Sequence, residues 1–203
     1  MNLFEVMVVI SITLIVAVVL LSALAKSHRH PSRLWCANNL KQVDLACRIW
    51  AGDNGDKYPP EVAVTNGGAR EWIGVENWKV FQVMSNELST PQILFCRQDE
   101  LRSTCATNFS DDLKDKISYF VGLEAKENDP QALLSGDANL VVNGTPVSSG
   151  IWDLRTCSAT WTKARHDKSG YIVMADGSIQ LATRIGSIAA AGTIIATNRL
   201  AIP

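Results

Sequence analysis

The sequence carries little charge and no excess of either sign. Charged residues make up 19% of the chain, and 19 lysines and arginines stand against 20 aspartates and glutamates, for a formal net charge of −1. Such a balance gives no general attraction to nucleic acid, so we predict no nucleic-acid partner. Because 47% of the residues are hydrophobic, the composition also excludes an intrinsically disordered chain. A length of 203 residues suits one domain of ordinary size with an appendage.

Motifs of common catalytic sites are missing as well. The chain has no serine-centred elbow, no phosphate-binding glycine loop, no Cys-x-x-Cys pair and no His-Glu-x-x-His segment, and it has only three histidines. General bases are therefore scarce. We predict that the protein is not an enzyme, and that it uses no cofactor and no metal.

Cysteines are few and odd in number. Five cysteines in a chain of this length exclude a disulfide-framework mini-domain. Cys36 and Cys47 lie eleven positions apart on one predicted helix, about 16 Å along its axis, so they cannot bridge each other and are interpreted as small core residues. Cys96, Cys105 and Cys157 follow later in the chain, where an oxidising exterior would allow one pair to join. Which pair forms stays open.

A long hydrophobic run stands apart from the rest of the chain. Residues 6–25 contain no charge, no proline and no glycine. As a helix this run is about 30 Å long, which matches the hydrocarbon thickness of a bilayer, and we predict a membrane-spanning helix. A cleaved signal peptide is the alternative. It is disfavoured because the run is long, no basic segment precedes it and Leu24-Ala25-Lys26 is a poor cleavage site.

One carboxylate, Glu5, lies where the chain enters this apolar run. A charge within a bilayer costs up to about 2.5–3.5 kcal/mol, so such residues usually have a partner or a function. The nearest candidate partner is the α-amino group of Met1, and the geometry for direct pairing within one helix is poor. A neighbouring copy, staggered by about one helical turn, could supply that amine.

The N-terminal pattern resembles a known family. Met1-x-Leu3-x-Glu5 followed by an uncharged run is similar to the mature N-terminus of type IV pilins and type II secretion pseudopilins. In that family a prepilin peptidase cuts just before the first mature residue and methylates the new amine, and the glutamate guides each subunit into a helical filament. The resemblance implies that Met1 is the processed, methylated terminus and that Glu5 is the assembly carboxylate.

The segment after the apolar run shows helical periodicity. Cys36, Leu40, Val43, Cys47 and Trp50 step by four, three, four and three, which predicts one buried stripe. We predict a helix over 3–51, kinked at Pro31, with Lys41, Asp44 and Arg48 facing away from that stripe.

A turn-rich stretch then ends the predicted helix. Residues 52–56 and the following Tyr58-Pro59-Pro60 are dense in turn formers. Asp53-Asn54-Gly55-Asp56 partly resembles a calcium loop, but it lacks the full acidic spacing and the terminal glutamate, so a turn is favoured. The two possible glycosylation sequons, at Asn108 and Asn143, are interpreted as loops.

The remainder of the chain predicts a helix with antiparallel strands. Residues 76–88 have apolar side chains at helical spacing, and residues 186–197 are apolar and favour a second helix packed on the head. Short apolar runs follow the first helix at 93–96, 118–121, 132–134 and 140–142. The clearest hairpin joins 171–175 to 178–181 through Asp176-Gly177.

The fold class predicted is therefore α+β. We expect a long N-terminal helix, with a membrane-spanning half and an amphipathic half, packed on an antiparallel β-sheet head in the pilin-like lollipop arrangement. The domain division predicted is 1–30 for the membrane or filament-core helix and 31–203 for the head, which includes the second half of the long helix.

A second motif extends the resemblance. His166, nine intervening residues and then Asp176-Gly177 match a signature of prepilin-like proteins of Planctomycetes and Verrucomicrobia type bacteria, and the stretches 36–42, 86–91 and 118–123 are similar to further parts of those proteins. The resemblance implies a pseudopilin-like subunit. His166 and Asp176 could meet at the mouth of the hairpin for acid–base or metal chemistry, but turn chemistry already explains Asp176-Gly177, so a structural role is favoured.

The function predicted is a structural subunit of a type IV pilus-like or type II secretion pseudopilus filament that polymerises through its apolar helix. Its partners would be further copies of itself, inner-membrane lipid before assembly, and the prepilin peptidase and assembly machinery. We expect an inner-membrane anchor first and a periplasmic or extracellular filament afterwards. The alternative is a monomeric, membrane-anchored module that binds a surface ligand.

The charges after the apolar run favour the opposite topology. Lys26, Arg29 and Arg33 would place the head in the cytoplasm by a positive-inside count. This alternative orientation stays open.

Overall fold

The structure is a computed structural model of the chain and describes residues 2–27, 30–154, 157–186, 193–195 and 199–203. Its first element is helix α1 (Leu3–Ser27), and the second is helix α2 (His30–Asp53). The predicted helix over 3–51 is confirmed within the described residues as these two segments. Residues 28 and 29 between them lie outside the described residues, so the kink at Pro31 stays a prediction.

Helix α2 packs on the head through the stripe that its periodicity predicts. All five stripe residues, from Cys36 to Trp50, are buried. Asp44 is an exception to the prediction, because it is only 4% exposed although it was placed on the outward face. Its carboxylate accepts a hydrogen bond from Arg48 Nε at 3.0 Å, which compensates the buried charge. Lys41 and Arg48 are less buried and reach the head at their tips.

The end of α2 is a turn, as predicted. The backbone N–H groups of Asn54 and Asp56 both donate to Ala51 O at 2.9 Å, and Gly55 and Asp56 adopt left-handed conformations.

Between α2 and the first strand the chain forms short helical turns. The predicted helix over 76–88 is two pieces, α3 (Lys79–Val83) and α4 (Ser85–Leu88), because Met84 leaves the helical conformation at φ −95° and ψ 21°. The apolar positions that predicted this helix are nevertheless buried. Short 3-10 turns occupy Pro59–Glu61, Val64–Asn66, Arg70–Trp72, Pro91–Leu94 and Asp111–Leu113.

Eleven strands are assigned in the described residues of the head. They are β1 (Tyr119–Gly122), β2 (Leu133–Asp137), β3 (Leu140–Val142), β4 (Thr145–Pro146), β5 (Gly150–Asp153), β6 (Ser158–Trp161), β7 (Gly170–Met174), β8 (Ile179–Ala182), β9 (Arg184–Gly186), β10 (Thr193–Ile195) and β11 (Arg199–Ile202). They form two sheets, in the orders β5-β11-β1-β2-β7-β8 and β10-β9-β6-β3-β4. All pairings are antiparallel except β9 with β10, which is parallel.

The six-stranded sheet is the middle layer of the head. Successive residues of β1 point to opposite faces, so Tyr119 and Val121 join the core beneath α2 while Phe120 joins a second core. That second core lies between the two sheets and includes Trp161 of β6 and Ile185 of β9. The α+β prediction, a helix packed on a mostly antiparallel sheet, is confirmed, with a second sheet that the sequence did not indicate.

The predicted helix over 186–197 is wrong where the structure describes it. Thr193–Ile195 is strand β10, paired with Arg184–Gly186. All three residues of β10 are β-branched, which favours an extended backbone over a helix. Residues 187–192 and 196–198 lie outside the described residues.

The hairpin predicted around Asp176-Gly177 is confirmed. Strands β7 and β8 pair in the register Val173 with Ile179, and Met174 N donates to Ser178 O at 3.0 Å at the mouth of the turn. The sequon residues also lie outside strands and helices, as predicted: Asn108 is in a loop and Asn143 begins the turn between β3 and β4.

Candidate functional site

Helix α1 is the largest exposed apolar surface in the described residues. The stretch Phe4–Ser22 is 19 residues long, has a mean hydropathy of 2.9 and is 0% buried against the rest of the chain. Length and composition are those of a helix that could cross a membrane, and an N-terminal signal sequence would show the same features. None of the described residues of the head covers this stretch.

The carboxylate of Glu5 lies in the first turn of α1. Its Oε2 accepts a hydrogen bond from Asn2 N at 3.0 Å, which satisfies one of the free backbone donors at the helix N-terminus. A carboxylate at this end also complements the helix dipole. Met1, the predicted source of the partner amine, lies outside the described residues. Glu5 thus has a local role that leaves its second oxygen available to another group.

The Asp176-Gly177 turn has a geometry set by both residues. Asp176 Oδ1 accepts from Ser178 N at 2.8 Å, and Gly177 has φ +80°, a conformation that glycine adopts without steric cost. Hydrogen bonding to Ser178 also lowers the pKa of Asp176. The carboxylate of Asp176 is therefore occupied by its own turn.

This turn lies directly on helix α2. Lys41 Nζ donates to Gly177 O at 2.9 Å, and Arg48 Nη2 donates to Ala175 O at 2.6 Å. A Cβ at position 177 would stand 2.8 Å from Asp44 Oδ2, which is closer than such atoms normally approach. The glycine is required by contact with α2 as well as by its backbone angle.

His166 is buried, and its neighbours differ from Asp176, the aspartate of its sequence motif. Its Nε2 is 3.4 Å from Asp137 Oδ2 and 3.7 Å from Cys96 Sγ, and its ring meets Tyr171 edge-on with centroids 5.2 Å apart. The aspartate beside His166 is thus Asp137 of β2. We find no contact between His166 and Asp176 among the described residues.

The turn that carries His166 is conformationally unusual. His166, Asp167 and Lys168 all have positive φ, at 41°, 51° and 61°. Each such residue costs on the order of 1 kcal/mol or more, so the surrounding contacts must hold the turn. Ser169 Oγ donates to His166 O, and Arg33 Nη2 approaches the same oxygen at 3.5 Å. These contacts fix the imidazole in the interior.

Burial controls the charge of this site. It lowers the pKa of His166 to about 4, with further lowering by the nearby Arg165 and Arg33. The imidazole is therefore neutral at pH 7, and its contact with Asp137 is not an ion pair. Burial also raises the pKa of Asp137 to about 6, an effect that Arg165 opposes.

Arg165 is the centre of a buried ionic network that the sequence did not reveal. Its side chain is fully buried, binds Asp99 Oδ2 and the Ser118 carbonyl, and lies 3.6 Å from Asp137 Oδ1. Asp99 is also bound by Arg102 at 3.2 Å. The one indication in the sequence was Asp137, an acidic residue that follows the short apolar run at 132–134.

A disulfide completes the site and corrects the prediction for the cysteines. Cys36 of α2 is joined to Cys96, with Cα atoms 5.5 Å apart, and both residues are fully buried. Cys36 was predicted to be a free core residue, and the pair was expected among Cys96, Cys105 and Cys157. The structure leaves those last two, and Cys47, as free thiols.

Comparisons with known proteins returned no match, whether to a family model, to a curated protein or to a solved structure.

Proposed function

We propose that the protein is a structural subunit of a type IV pilus-like or type II secretion pseudopilus filament and that it polymerises through α1. The observation that carries the proposal is an apolar helix that is 0% buried beside a head with two cores of its own. Each large apolar side chain left in water forgoes about 1.5–3 kcal/mol. The helix therefore needs an external apolar partner.

A second exposed apolar stripe supports protein contacts in addition to lipid. Leu34, Leu45 and Ile49 on the outer side of α2 are 64%, 57% and 48% exposed, and their spacing of eleven and four places them along one side of the helix. A bilayer needs about 20 helical residues, which α1 supplies by itself. The stripe on α2 is therefore not needed to cross the bilayer, and it is available for contact with neighbouring subunits.

Assembly would exchange one apolar surrounding for another. Before assembly, lipid of the inner membrane covers α1, and in the filament the same surface is buried among copies of α1. The resemblance of the N-terminus to pilins supports processing by a prepilin peptidase and methylation of Met1. It also supports a final location in the periplasm or outside the cell.

Glu5 would set the register of the subunits. A carboxylate that must enter an apolar filament core gains most when it meets a cation there, and the amine of Met1 on an adjacent copy is the candidate. Its hydrogen bond to Asn2 N uses Oε2 alone. Helix capping and intersubunit pairing are therefore compatible.

The test uses two substitutions that separate these roles. Glu5→Ala removes both the charge and the cap, whereas Glu5→Gln removes the charge and keeps an oxygen that can accept from Asn2 N. Either variant would leave the buried amine of Met1 without its partner, at a cost of about 3–5 kcal/mol per subunit. This cost would reduce filament incorporation by at least on the order of a hundredfold in both variants. We would measure filament protein sheared from cells that contain the assembly machinery, with membrane-bound protein as the control for insertion.

The two substitutions have distinct outcomes. Equal losses for both, with normal membrane insertion, are expected from an assembly charge. Normal filament yield from Glu5→Ala would remove Glu5 from assembly, and a loss confined to Glu5→Ala would make it a helix cap only.

The competing function is a monomeric, membrane-anchored binding module. Aromatic side chains are its main support, but Trp50, Trp78 and Trp161 are each at most 5% exposed and belong to the cores. Trp35, at 46% exposed, already stacks under the Arg97 guanidinium with 4.3 Å to the ring centroid. The observed burial thus favours the filament subunit.

A further inference from the structure

We propose that the chain with reduced cysteines binds a zinc ion between Cys36, Cys96 and His166. The two Sγ atoms and an imidazole nitrogen lie within 4.8 Å of one another, and all three residues are buried. Two cysteine sulfurs with a histidine nitrogen are a ligand set that zinc prefers. The three ligands come from α2, from the segment after Pro91–Leu94 and from the turn before β7.

The distances suit a tetrahedral ion after a small movement. Zinc bonds of about 2.3 Å to sulfur and 2.0–2.1 Å to nitrogen place neighbouring sulfur and nitrogen ligands about 3.5 Å apart, and two sulfurs about 3.8 Å apart. Cys96 Sγ is already 3.7 Å from His166 Nε2. Breaking the disulfide lets the two sulfurs separate to van der Waals distance, which is close to the separation that the ion requires.

Asp137 lies beside this cluster and contributes to its charge balance, while its Oδ2 already accepts a hydrogen bond from Tyr171 N at 2.8 Å. Its Oδ2 lies 3.4 Å from His166 Nε2, so an ion bound to this nitrogen would be near the carboxylate. Two thiolates neutralise Zn²⁺, and the extra negative charge of Asp137 is compensated by Arg165, which lies 3.6 Å from its other oxygen. No buried charge is then left without a partner.

The oxidation state of Cys36 and Cys96 decides whether a disulfide or a zinc ion links them. In the disulfide form, each sulfur is bonded to the other and neither is a thiolate. A dithiol reductant supplies two electrons and two protons to break the S–S bond and becomes a disulfide itself. Zinc then displaces the two thiol protons as it forms two Zn–S bonds. Either link joins α2 to the head, so the ion would replace the disulfide where no oxidant is available.

An open groove lies next to His166. The groove has a volume of about 720 Å³ and is lined by Arg33, Phe95 and His166 among other residues. The side chain of His166 is itself fully buried.

The test uses the full chain in detergent, with and without a phosphine reductant, under oxygen-free conditions. We expect about one Zn²⁺ per reduced chain and little in the oxidised chain. X-ray absorption of the zinc-bound wild type should show two sulfur ligands at about 2.3 Å and nitrogen or oxygen ligands at about 2.0–2.1 Å. This measurement needs no variant and so does not depend on a substitution that could prevent folding.

Variants then identify the ligands. His166→Ala should weaken zinc binding by at least about tenfold, whereas Cys105→Ser, which changes a partly exposed free thiol, should leave it unchanged. Absence of stoichiometric zinc in the reduced chain would overturn the proposal. So would a zinc environment with three or more sulfurs, or an unchanged affinity in His166→Ala.

Discussion

The disulfide between Cys36 and Cys96 fastens helix α2 to the segment that leads towards β1, across 60 residues of sequence. Cys36 belongs to the buried stripe of α2, and the backbone N–H of Cys96 donates to Ser118 Oγ at 3.0 Å. The covalent link therefore joins the helix to the same region that holds the buried Asp99 and Arg165.

We predict that the disulfide is a major contribution to stability. A closed loop of this length restricts the unfolded chain by about 4 kcal/mol, so Cys36→Ala should lower the free energy of unfolding by that amount. Urea unfolding of the full chain in detergent, without reductant and with a metal chelator, would measure it. Cys47→Ala is the matched control, since Cys47 is a free, buried cysteine on the same helix, and it should cost only about 1 kcal/mol. Equal losses of unfolding free energy in Cys36→Ala and Cys47→Ala would contradict a stabilising role of the disulfide.

The Asp176-Gly177 turn gives a second prediction. Gly177→Ala introduces a Cβ at φ +80° and within 2.8 Å of Asp44 Oδ2, so we expect a loss of about 2–3 kcal/mol. Gly144→Ala is the control, because Gly144 has φ +82° in another hairpin turn with no atom near its Cβ position. Gly144→Ala should lower the free energy of unfolding by about 1 kcal/mol, because only the backbone conformation is penalised. The same shift of the urea midpoint in both variants would show that the contact with α2 does not matter.

Arg165 gives a third prediction. Arg165→Met leaves the buried carboxylates of Asp99 and Asp137 without their main cation, and we expect a loss of about 3–5 kcal/mol in the free energy of unfolding. The control is Arg199→Met, which breaks an ion pair with Glu124 whose side chains are 43% and 34% exposed. That change should cost at most about 1 kcal/mol. If Arg165→Met lowered the free energy of unfolding no more than Arg199→Met does, the buried ionic network would contribute little to stability.

Elements defined by local patterns were predictable from the sequence. The buried stripe of α2 follows from spacing within one helix, and the β7–β8 hairpin follows from Asp176-Gly177 between two apolar runs. Both need only residues that are neighbours along the chain. The exposed apolar helix α1 was equally predictable from the sequence, because a single uninterrupted run of apolar residues indicates it.

Features that depend on tertiary contacts were not predictable. Disulfide pairing requires Cα atoms at a bonding distance, and nothing in the sequence places Cys36 nearer to Cys96 than to Cys105 or Cys157. The apolar run before Cys96 is a 3-10 turn because Pro91 and the Thr90 side chain start it, where Thr90 Oγ1 accepts from Gln92 N. In the same way, Asp137 replaces Asp176 beside His166 because β2 and the turn before β7 meet only in the folded head.

The state of the wild-type protein on cells tests the central claim most directly. We would shear the surface of cells that express the full chain with its assembly machinery, collect the fraction that sediments, and image it by electron cryomicroscopy. The account predicts helical filaments built from this chain, with copies of α1 packed together in the core. Recovery of the chain only as a monomer in the membrane fraction would contradict it and would favour the anchored binding module.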